Sequence, residues 1–229
     1  MFYIAFMMVM IASMAAVGLG VGFGSGTSRT GVEELTDEEL PEPTPFVQTY
    51  SEPALTIDAT KPHLAMIETN KGTIEVELAT DAPTAVNSFA FLAGKGFYDG
   101  TTFFWVDDYF IQAGDPTCNL DEEAVCSGVG GPGYTLPVEH NDGRHEQWAV
   151  VAVDLGTGGD DVHGSQFRIL RQSDSRLDGA ETVFGTVIGG REILESLDPF
   201  VPCSVADSDS CAEDLSSALV IETIEVLPA

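Results

Sequence analysis

Arg168 carries a permanent positive charge in a segment whose other residues are typical of a buried strand. Strand alternation in Gln166-Phe167-Arg168 puts Gln166 and Arg168 on one face and predicts that Phe167 points into a core. A guanidinium stays charged and donates hydrogen bonds from a rigid fork, and it needs a partner where it is buried. The candidate partners in this sequence are Asp107, Asp108 and Glu181.

Arg176 is the second candidate for such chemistry. Because 37 acidic residues face only nine Lys and Arg, a simple ion pair with a carboxylate is the alternative role for either arginine. The same charge balance, a net charge of −28, argues against nucleic-acid binding, which needs cations to neutralise phosphates. It also disfavours docking on anionic lipid and indicates a well-solvated surface.

We find no pattern for nucleophilic or metal catalysis, and we expect no cofactor. His140 and His145 lie in a polar stretch and are predicted to be surface residues rather than a metal pair. The Gly-rich run 128–133 is not followed by Lys-Ser/Thr, so it predicts a loop rather than a phosphate site. Residues 207–209 read Asp-Ser-Asp but lack the Gly and distal Glu of a calcium loop.

The elements that must position these residues are mainly strands. Alternating apolar and acidic residues predict a hairpin of Leu64–Thr69 and Thr73–Leu78. A helix over Pro83–Ala93 follows, with Asp81 as its cap and Gly94 at its end. A second short helix is predicted over Arg191–Leu197. Further strands are predicted over Thr102–Val106, Tyr109–Ala113, Trp148–Val153, Gln166–Leu170, Thr182–Val187 and Leu219–Val226.

The N-terminal part of the chain differs in composition from the rest. Residues 1–28 carry no charge, and the apolar stretch within them is long enough to span a bilayer, which takes about 20 helical residues. We expect a transmembrane anchor, with a cleaved signal peptide or a buried core helix as the alternatives. Acidic and Pro-containing residues 29–60 predict an extended linker, which leaves residues 61–229 as the folded domain.

The four cysteines form two local pairs, Cys118/Cys126 and Cys203/Cys211, each with an eight-residue offset. An even number after an export-like segment favours two disulfides and an extracytoplasmic location. Free thiols are the alternative, and zinc is a weaker one because no C-x₂₋₄-C spacing is present.

Several motifs together resemble the cyclophilin family of peptidyl-prolyl isomerases. They are Tyr98-Asp99-Gly100-Thr101-Thr102-Phe103, Gln112-Ala113-Gly114-Asp115, Gly164-Ser165-Gln166-Phe167, Leu177-Asp178-Gly179 and Val183-Phe184-Gly185. The likeness covers about residues 64–199. It implies a mainly β fold, a closed eight-stranded antiparallel barrel capped by two helices.

The resemblance also places the family's peptide-binding positions in this chain. The family's catalytic Arg falls on Trp105 and its neighbouring His on Phe104, so the usual guanidinium is absent from that strand. The two Gln positions that contact the peptide fall on Gln112 and Gln166. The remaining pocket and rim positions fall on Tyr109, Phe110, Arg168, Arg176, Leu177 and Glu181.

We therefore expect a prolyl isomerase whose activity is weakened and rebuilt around Arg168, Gln112 and Arg176. The expected substrate-binding residues are Trp105, Tyr109, Phe110, Gln166, Leu177 and Glu181. The partners are proline-containing polypeptide segments outside the cytoplasm, with the membrane contacted through residues 1–28. An inactive module of the same fold that binds proline peptides or acts as a chaperone is the alternative, and a structural domain of the cell envelope is a third.

Overall fold

The computed structural model describes residues 48–120, 125–154, 161–205, 212 and 215–229. These residues form a mainly β structure with two α-helices and one 3₁₀ turn. The helices are α1, Pro83–Ala93, and α2, Arg191–Glu195. The strands are β1, His63–Thr69; β2, Gly72–Leu78; β3, Thr102–Phe103; β4, Trp105–Val106; β5, Phe110–Ala113; β6, Thr135–Pro137; β7, Ala149–Asp154; β8, Asp161–Leu170; β9, Val183–Gly189; and β10, Leu219–Pro228.

The strands form one antiparallel sheet that curls into a nearly closed barrel, in the order β3-β10-β1-β2-β9-β7-β8-β5-β4. The two ends of this order, β3 and β4, belong to one chain segment interrupted at Phe104. Because β3 pairs with β10 and β4 pairs with β5, that segment bridges the ends of the sheet. Counting it as one strand, with β6 off the ring beside β8, gives the predicted eight strands.

Helix α1 covers one end of the barrel and fills its core with an aromatic ring. The Phe89 ring lies 5.7 Å from that of Phe167 and 5.6 Å from that of Phe184. All five residues predicted for this core are buried, and they are Val86, Phe89, Phe103, Phe167 and Phe184. A helix that buries one face in this way is stabilised by tertiary packing more than by its own propensity.

The cap predicted for α1 is wrong. Ala82 rather than Asp81 precedes the helix, and no side chain of its own first turn caps it. Instead the carboxylate of Glu139 accepts hydrogen bonds from the backbone N of Thr84, at 2.8 Å, and of Ala85, at 2.9 Å. A carboxylate suits this position because the first amides of a helix lack partners and its N-terminus is electropositive.

Residues 48–60, at the C-terminal end of the predicted linker, lie against the barrel domain. The backbone N of Tyr50 donates to the carbonyl of Pro132 at 2.7 Å, and the Tyr50 ring packs edge-on against Phe91 of α1. Asn87 of α1 accepts from the backbone N of Thr56 and donates to the carbonyl of Ala54. This segment therefore packs with the domain rather than extending away from it.

The predicted Cys118–Cys126 disulfide is present. Cys203 is also disulfide-bonded, and its predicted partner Cys211 lies outside the described residues. The apolar segment 1–28 and the Asp-Ser-Asp run at 207–209 lie outside them as well. Among the residues that the structure does describe, no helix has both the length and the apolar character to cross a membrane.

Candidate functional site

Three neighbouring strands place Trp105, Gln112 and Arg168 in one row. In the β4–β5 pair Trp105 stands opposite Gln112, and in the β5–β8 pair Gln112 stands opposite Arg168. Residues directly opposite each other in an antiparallel sheet project on the same face, with Cβ atoms about 5 Å apart. The Arg168 guanidinium is thus two strands away from Trp105 but on the same face of the sheet.

A chain of hydrogen bonds fixes two of the side chains in this row, Arg168 and Gln112. Arg168 Nε donates to Gln112 Oε1 at 2.9 Å, and Gln112 Nε2 donates to Gln166 Oε1 at 2.7 Å. Gln166 Nε2 then donates to the carbonyls of Gly130, at 2.8 Å, and Gly128, at 3.2 Å. Gln112 and Gln166 are buried, so these bonds, rather than water, satisfy their amides.

The predicted orientation of β8 is confirmed by these contacts. Phe167 is 1% exposed and packs in the barrel core. Gln166 and Arg168 project on the opposite face of the strand, where both hydrogen-bond to Gln112. The alternation of a strand was therefore enough to place both polar side chains on the site.

Two aromatic rings form a wall beside the row. The Phe110 ring lies 5.7 Å from Trp105, and the guanidinium carbon of Arg168 lies 4.5 Å from the centre of the Phe110 ring. A cation over an aromatic face is held by the negative potential of the ring. Tyr109, predicted to bind substrate, is 67% exposed and lies at the outer edge of this wall.

Partial burial lowers the pKa of Arg168 from its usual value, and the negative charges of Glu181, Asp107 and Asp154 act in the opposite direction. The guanidinium remains charged because its reference pKa lies far above neutral pH. Two of the three predicted partners, Asp107 and Glu181, thus act on Arg168 through their charge. No ion pair with Arg168 is present among the described residues.

Asp107 has a further role in shaping the site. Its Oδ1 accepts hydrogen bonds from the backbone N of Tyr109, at 2.7 Å, and of Phe110, at 2.8 Å. These bonds hold the turn between β4 and β5 and so fix the backbone position from which the Phe110 side chain projects. Asp108, the third predicted partner, is exposed, and its carbonyl accepts from Gln172 Nε2.

Arg176 and Leu177 lie in the 3₁₀ turn Ser175–Leu177. The Arg176 side chain is 87% exposed and forms a 2.6 Å ion pair with Asp174, which raises the pKa of Arg176 and lowers that of Asp174 to about 2. Leu177 is half-buried. Within the described ranges, Arg176 makes no hydrogen bond to Gln112, Gln166 or Arg168, so the structure does not bring this predicted catalytic residue into the row.

The prediction of a surface position is wrong for His145. Its side chain is fully buried, with Nδ1 3.3 Å from Asp178 Oδ1 and Nε2 3.5 Å from Glu181 Oε2. The backbone N of His145 also donates to Asp178 Oδ1 at 2.8 Å, so His145 connects its own loop to the loop that carries Leu177 and Glu181. In the sequence, the only indication of this burial is the pair of acidic residues Asp178 and Glu181, which lie more than 30 residues further along the chain. In the part of the chain that the structure describes, no group of His, Cys and acidic residues could hold a metal ion.

Comparisons with known proteins agree with this fold. A sequence model of the cyclophilin type peptidyl-prolyl cis-trans isomerase/CLD family matches residues 64–226. A peptidyl-prolyl cis-trans isomerase of Synechococcus elongatus is 38% identical over 122 residues, which cover 53% of this chain and 77% of that protein. Peptidyl-prolyl cis-trans isomerase B of Bacillus subtilis is 38% identical over 125 residues, covering 54% and 82%.

Solved structures show the same relationship. The crystal structure of a Cryptosporidium parvum cyclophilin type peptidyl-prolyl cis-trans isomerase has a TM-score of 0.58 and 26% identity, covering 72% of this chain and 97% of its own. A structure of that protein in the presence of the dipeptide Ala-Pro has a TM-score of 0.57 and 26% identity, covering 72% and 99%.

Proposed function

This chain belongs to the cyclophilin-type peptidyl-prolyl cis-trans isomerase family and is an isomerase of that type, and we propose that Arg168 supplies the guanidinium for its reaction. In this proposal Gln112 orients Arg168, and Gln166 holds Gln112. Trp105 and Phe110 form the apolar wall against which the proline ring binds, with Tyr109, Leu177 and Glu181 at the rim.

The reaction sets the requirements for such a site. Rotation about an X-Pro bond is opposed by a barrier of roughly 18–20 kcal/mol, because amide resonance is lost in the twisted state. In the twisted state the lone pair of the proline nitrogen is no longer shared with the carbonyl group, so this nitrogen becomes a hydrogen-bond acceptor. A donor that is aimed at the nitrogen before the reaction begins stabilises the twisted state without further reorganisation. No nucleophile or metal is needed.

The observation that carries the proposal is the hydrogen bond between Arg168 Nε and Gln112 Oε1. It uses one of the five N–H groups of the guanidinium and fixes the plane of the fork. Among the described residues, this is the one hydrogen bond that Arg168 makes through its side chain, which leaves its Nη groups as donors for a bound peptide. Burial strengthens such donors because the local dielectric is low.

We expect the activity to be lower than in relatives that carry Arg at the position of Trp105. The Trp105 ring packs against Phe110 and cannot donate to the peptide from a charged group. Arg168 reaches the same face from β8, so it approaches the X-Pro bond from another direction. It also stacks on Phe110, so a proline ring must share that surface with the guanidinium.

We further propose that the substrates are X-Pro segments of proteins outside the cytoplasm. What supports this is the Cys118–Cys126 disulfide, since disulfides persist in oxidising compartments. The apolar composition of residues 1–28 is consistent with export or anchoring in a membrane. Isolation of the chain from host membranes, with both cysteines of this pair blocked to alkylation, would support the location. Recovery of the chain from the cytosol with free thiols would reject it.

A protease-coupled isomerisation assay on a short X-Pro peptide tests the function. We expect the wild-type chain to accelerate isomerisation and Arg168→Ala to lower kcat/KM by about 10²-fold, as for loss of one preorganised donor in other enzymes. Arg168→Lys should restore little, because an ammonium cannot reproduce the planar fork. Arg144→Ala, at an exposed position, is the matched control and should retain activity.

Retained activity in Arg168→Ala would reject the role of Arg168. Peptide binding without turnover in the wild type would favour the inactive binding module.

A further inference from the structure

We propose that the Cys118–Cys126 disulfide positions the Gln112–Arg168 pair, so that the redox state of these two cysteines sets the isomerase activity. This inference rests on the proposed function of Arg168. The disulfide lies outside the row of Trp105, Gln112 and Arg168, but two separate sets of contacts lead from it to that row.

The first set is apolar. Cys118 and Cys126 are buried in a small cluster with Phe104, Leu215 and Ala218, which we call the disulfide cluster. Three partly buried residues pack against it, and they are Trp105, Phe200 and Val205. Trp105 therefore contacts both parts of the structure. It packs against the disulfide cluster and also against the Phe110 ring, over which the Arg168 guanidinium lies.

The second set is a hydrogen-bond network that begins at the neighbours of the two cysteines. Thr117 precedes Cys118 and Ser127 follows Cys126, and the backbone N of Ser127 donates to Thr117 Oγ1 at 2.9 Å. Both residues then bind the carboxylate of Asp115, which is fully buried. The backbone N of Thr117 donates to Oδ1 at 2.8 Å, and Ser127 Oγ donates to Oδ2 at 3.1 Å.

Asp115 connects this network to the glutamines. Its Oδ2 also accepts from the backbone N of Gly130 at 2.9 Å, and the carbonyl of Gly130 accepts from Gln166 Nε2. The carbonyl of Gly128, one residue beyond Ser127, accepts from the same Gln166 amide. The segment that directly follows Cys126 thus supplies both acceptors that fix Gln166, and Gln166 in turn fixes Gln112.

Opening the disulfide releases Cys118 and Cys126 from each other, and with them their neighbours Thr117 and Ser127. The released backbone gains conformations in which Thr117 and Ser127 no longer converge on Asp115. The carbonyls that hold the buried Gln166 amide then shift, and the amide must follow them or lose its partners. Because a misplacement of about 1 Å at a catalytic group can cost about 10²-fold in rate, a small shift of Arg168 is enough to lower turnover.

The chemical step is thiol–disulfide exchange with a dithiol. One thiolate of the dithiol attacks a sulfur of the Cys118–Cys126 bond and forms a mixed disulfide, which releases one protein thiolate. The second thiol of the dithiol then attacks the mixed disulfide, closes as an oxidised ring and releases the other protein thiolate. Two electrons and two protons pass from the dithiol to the two cysteines, and oxidation reverses the step.

The test uses the full chain with Cys203→Ser and Cys211→Ser, so that dithiothreitol can reduce only the Cys118–Cys126 bond. Mass spectrometry after alkylation establishes each redox state. We expect reduction to lower kcat by about tenfold while KM changes less than twofold, because the guanidinium acts on the twisted state rather than on binding. An unchanged kcat in fully reduced protein would overturn the proposal.

A second variant separates positioning from general loss of stability. Ser127→Ala removes the hydrogen bond from Ser127 Oγ to Asp115 and leaves the disulfide and the bond from the backbone N of Thr117 in place. If the network carries the effect, this variant is slow already and reduction slows it by less than twofold, since coupled changes do not add. An equal tenfold effect of reduction with and without Ser127 Oγ would mean that the disulfide acts by another route.

The side-chain amide NMR signals of Gln112 and Gln166 provide a readout that does not depend on turnover. We expect both signals to shift on reduction in the parent chain, whereas the signal of the Asn87 amide in α1 stays in place. If the wild type has no isomerase activity but these signals shift, the proposed function fails and the structural coupling stands. Unshifted Gln112 and Gln166 signals in reduced protein would sink the coupling whatever the activity.

Discussion

Arg168 Nε donates a 2.9 Å hydrogen bond to Gln112 Oε1 across the β5–β8 pair, and this contact joins the half-buried guanidinium to the buried amide network. The bond fixes the fork of the guanidinium while Phe110 supports its face. The guanidinium of this row thus comes from β8, whereas β4 contributes the Trp105 ring.

Removal of Gln112 should release Arg168 without removing its charge. In Gln112→Ala we expect kcat/KM to fall by about tenfold or more, because a hydrogen bond to a charged group is worth about 1.5–3 kcal/mol. The isomerase assay measures this, and the Arg168→Ala/Gln112→Ala double variant should be no slower than Arg168→Ala alone. Fully additive losses would show that the two residues act independently.

Glu139 should stabilise the barrel by capping α1 from a distance of more than 50 residues. Glu139→Ala should lower the free energy of unfolding by about 1 kcal/mol, the usual cost of a lost helix cap, while leaving isomerase activity intact. Asp81→Ala is the matched control, since Asp81 lies two residues before the helix and does not cap it. Urea unfolding of the two variants distinguishes them, and a larger loss in Asp81→Ala would contradict the assignment.

Phe184 lies in the barrel core beside Phe89 and Phe167. Phe184→Ala should cost about 3–5 kcal/mol, because it removes a buried ring and leaves a cavity that the barrel cannot close. Leu55→Ala, at a side chain that is 85% exposed, should change stability by less than about 0.5 kcal/mol. A shift of the denaturation midpoint near zero for Phe184→Ala would reject its place in the core.

Local sequence patterns were sufficient for most of the barrel. The alternation over Thr73–Leu78 predicted β2, and Pro83 with Gly94 predicted the bounds of α1, because these signals act within a few residues. Strand β6, Thr135–Pro137, was missed, since three residues with a proline carry no readable period and the pairing with β8 alone defines it.

The parts of the site that sequence reasoning missed depend on contacts between distant segments. The sequence placed Gln166 and Arg168 on one face, but not the bonds that join Arg168 to Gln112 and Gln166 to the carbonyl of Gly130. It likewise missed the burial of His145 against Glu181, because only the fold brings that loop and that carboxylate together. Which polar residue finds which partner is decided by tertiary structure, not by local propensity.

The Arg176–Asp174 ion pair predicts a dependence of stability on pH. The hydrogen bonds from Arg176 lower the pKa of Asp174 to about 2, from the ordinary value of 3.8. A carboxyl whose pKa is lower in the folded than in the unfolded chain adds stability above the unfolded pKa, and this contribution is lost as the pH falls through the folded pKa. The contribution of this pair should therefore be complete at pH 5 and decline between about pH 4 and pH 2.

Arg176→Ala tests this contribution and, at the same time, the place of Arg176 in the site. The Tm of wild type should exceed that of Arg176→Ala by a small margin at pH 5, because both side chains are largely in solvent and such pairs are weak. That margin should shrink towards zero as the pH approaches 2. Since Arg176 lies outside the row of Trp105, Gln112 and Arg168, the variant should keep isomerase activity within about twofold, in contrast to Arg168→Ala.

A margin that persists at pH 2 would show that Arg176 stabilises the fold by some means other than Asp174. A loss of activity as large as that of Arg168→Ala would assign the catalytic guanidinium to Arg176 instead.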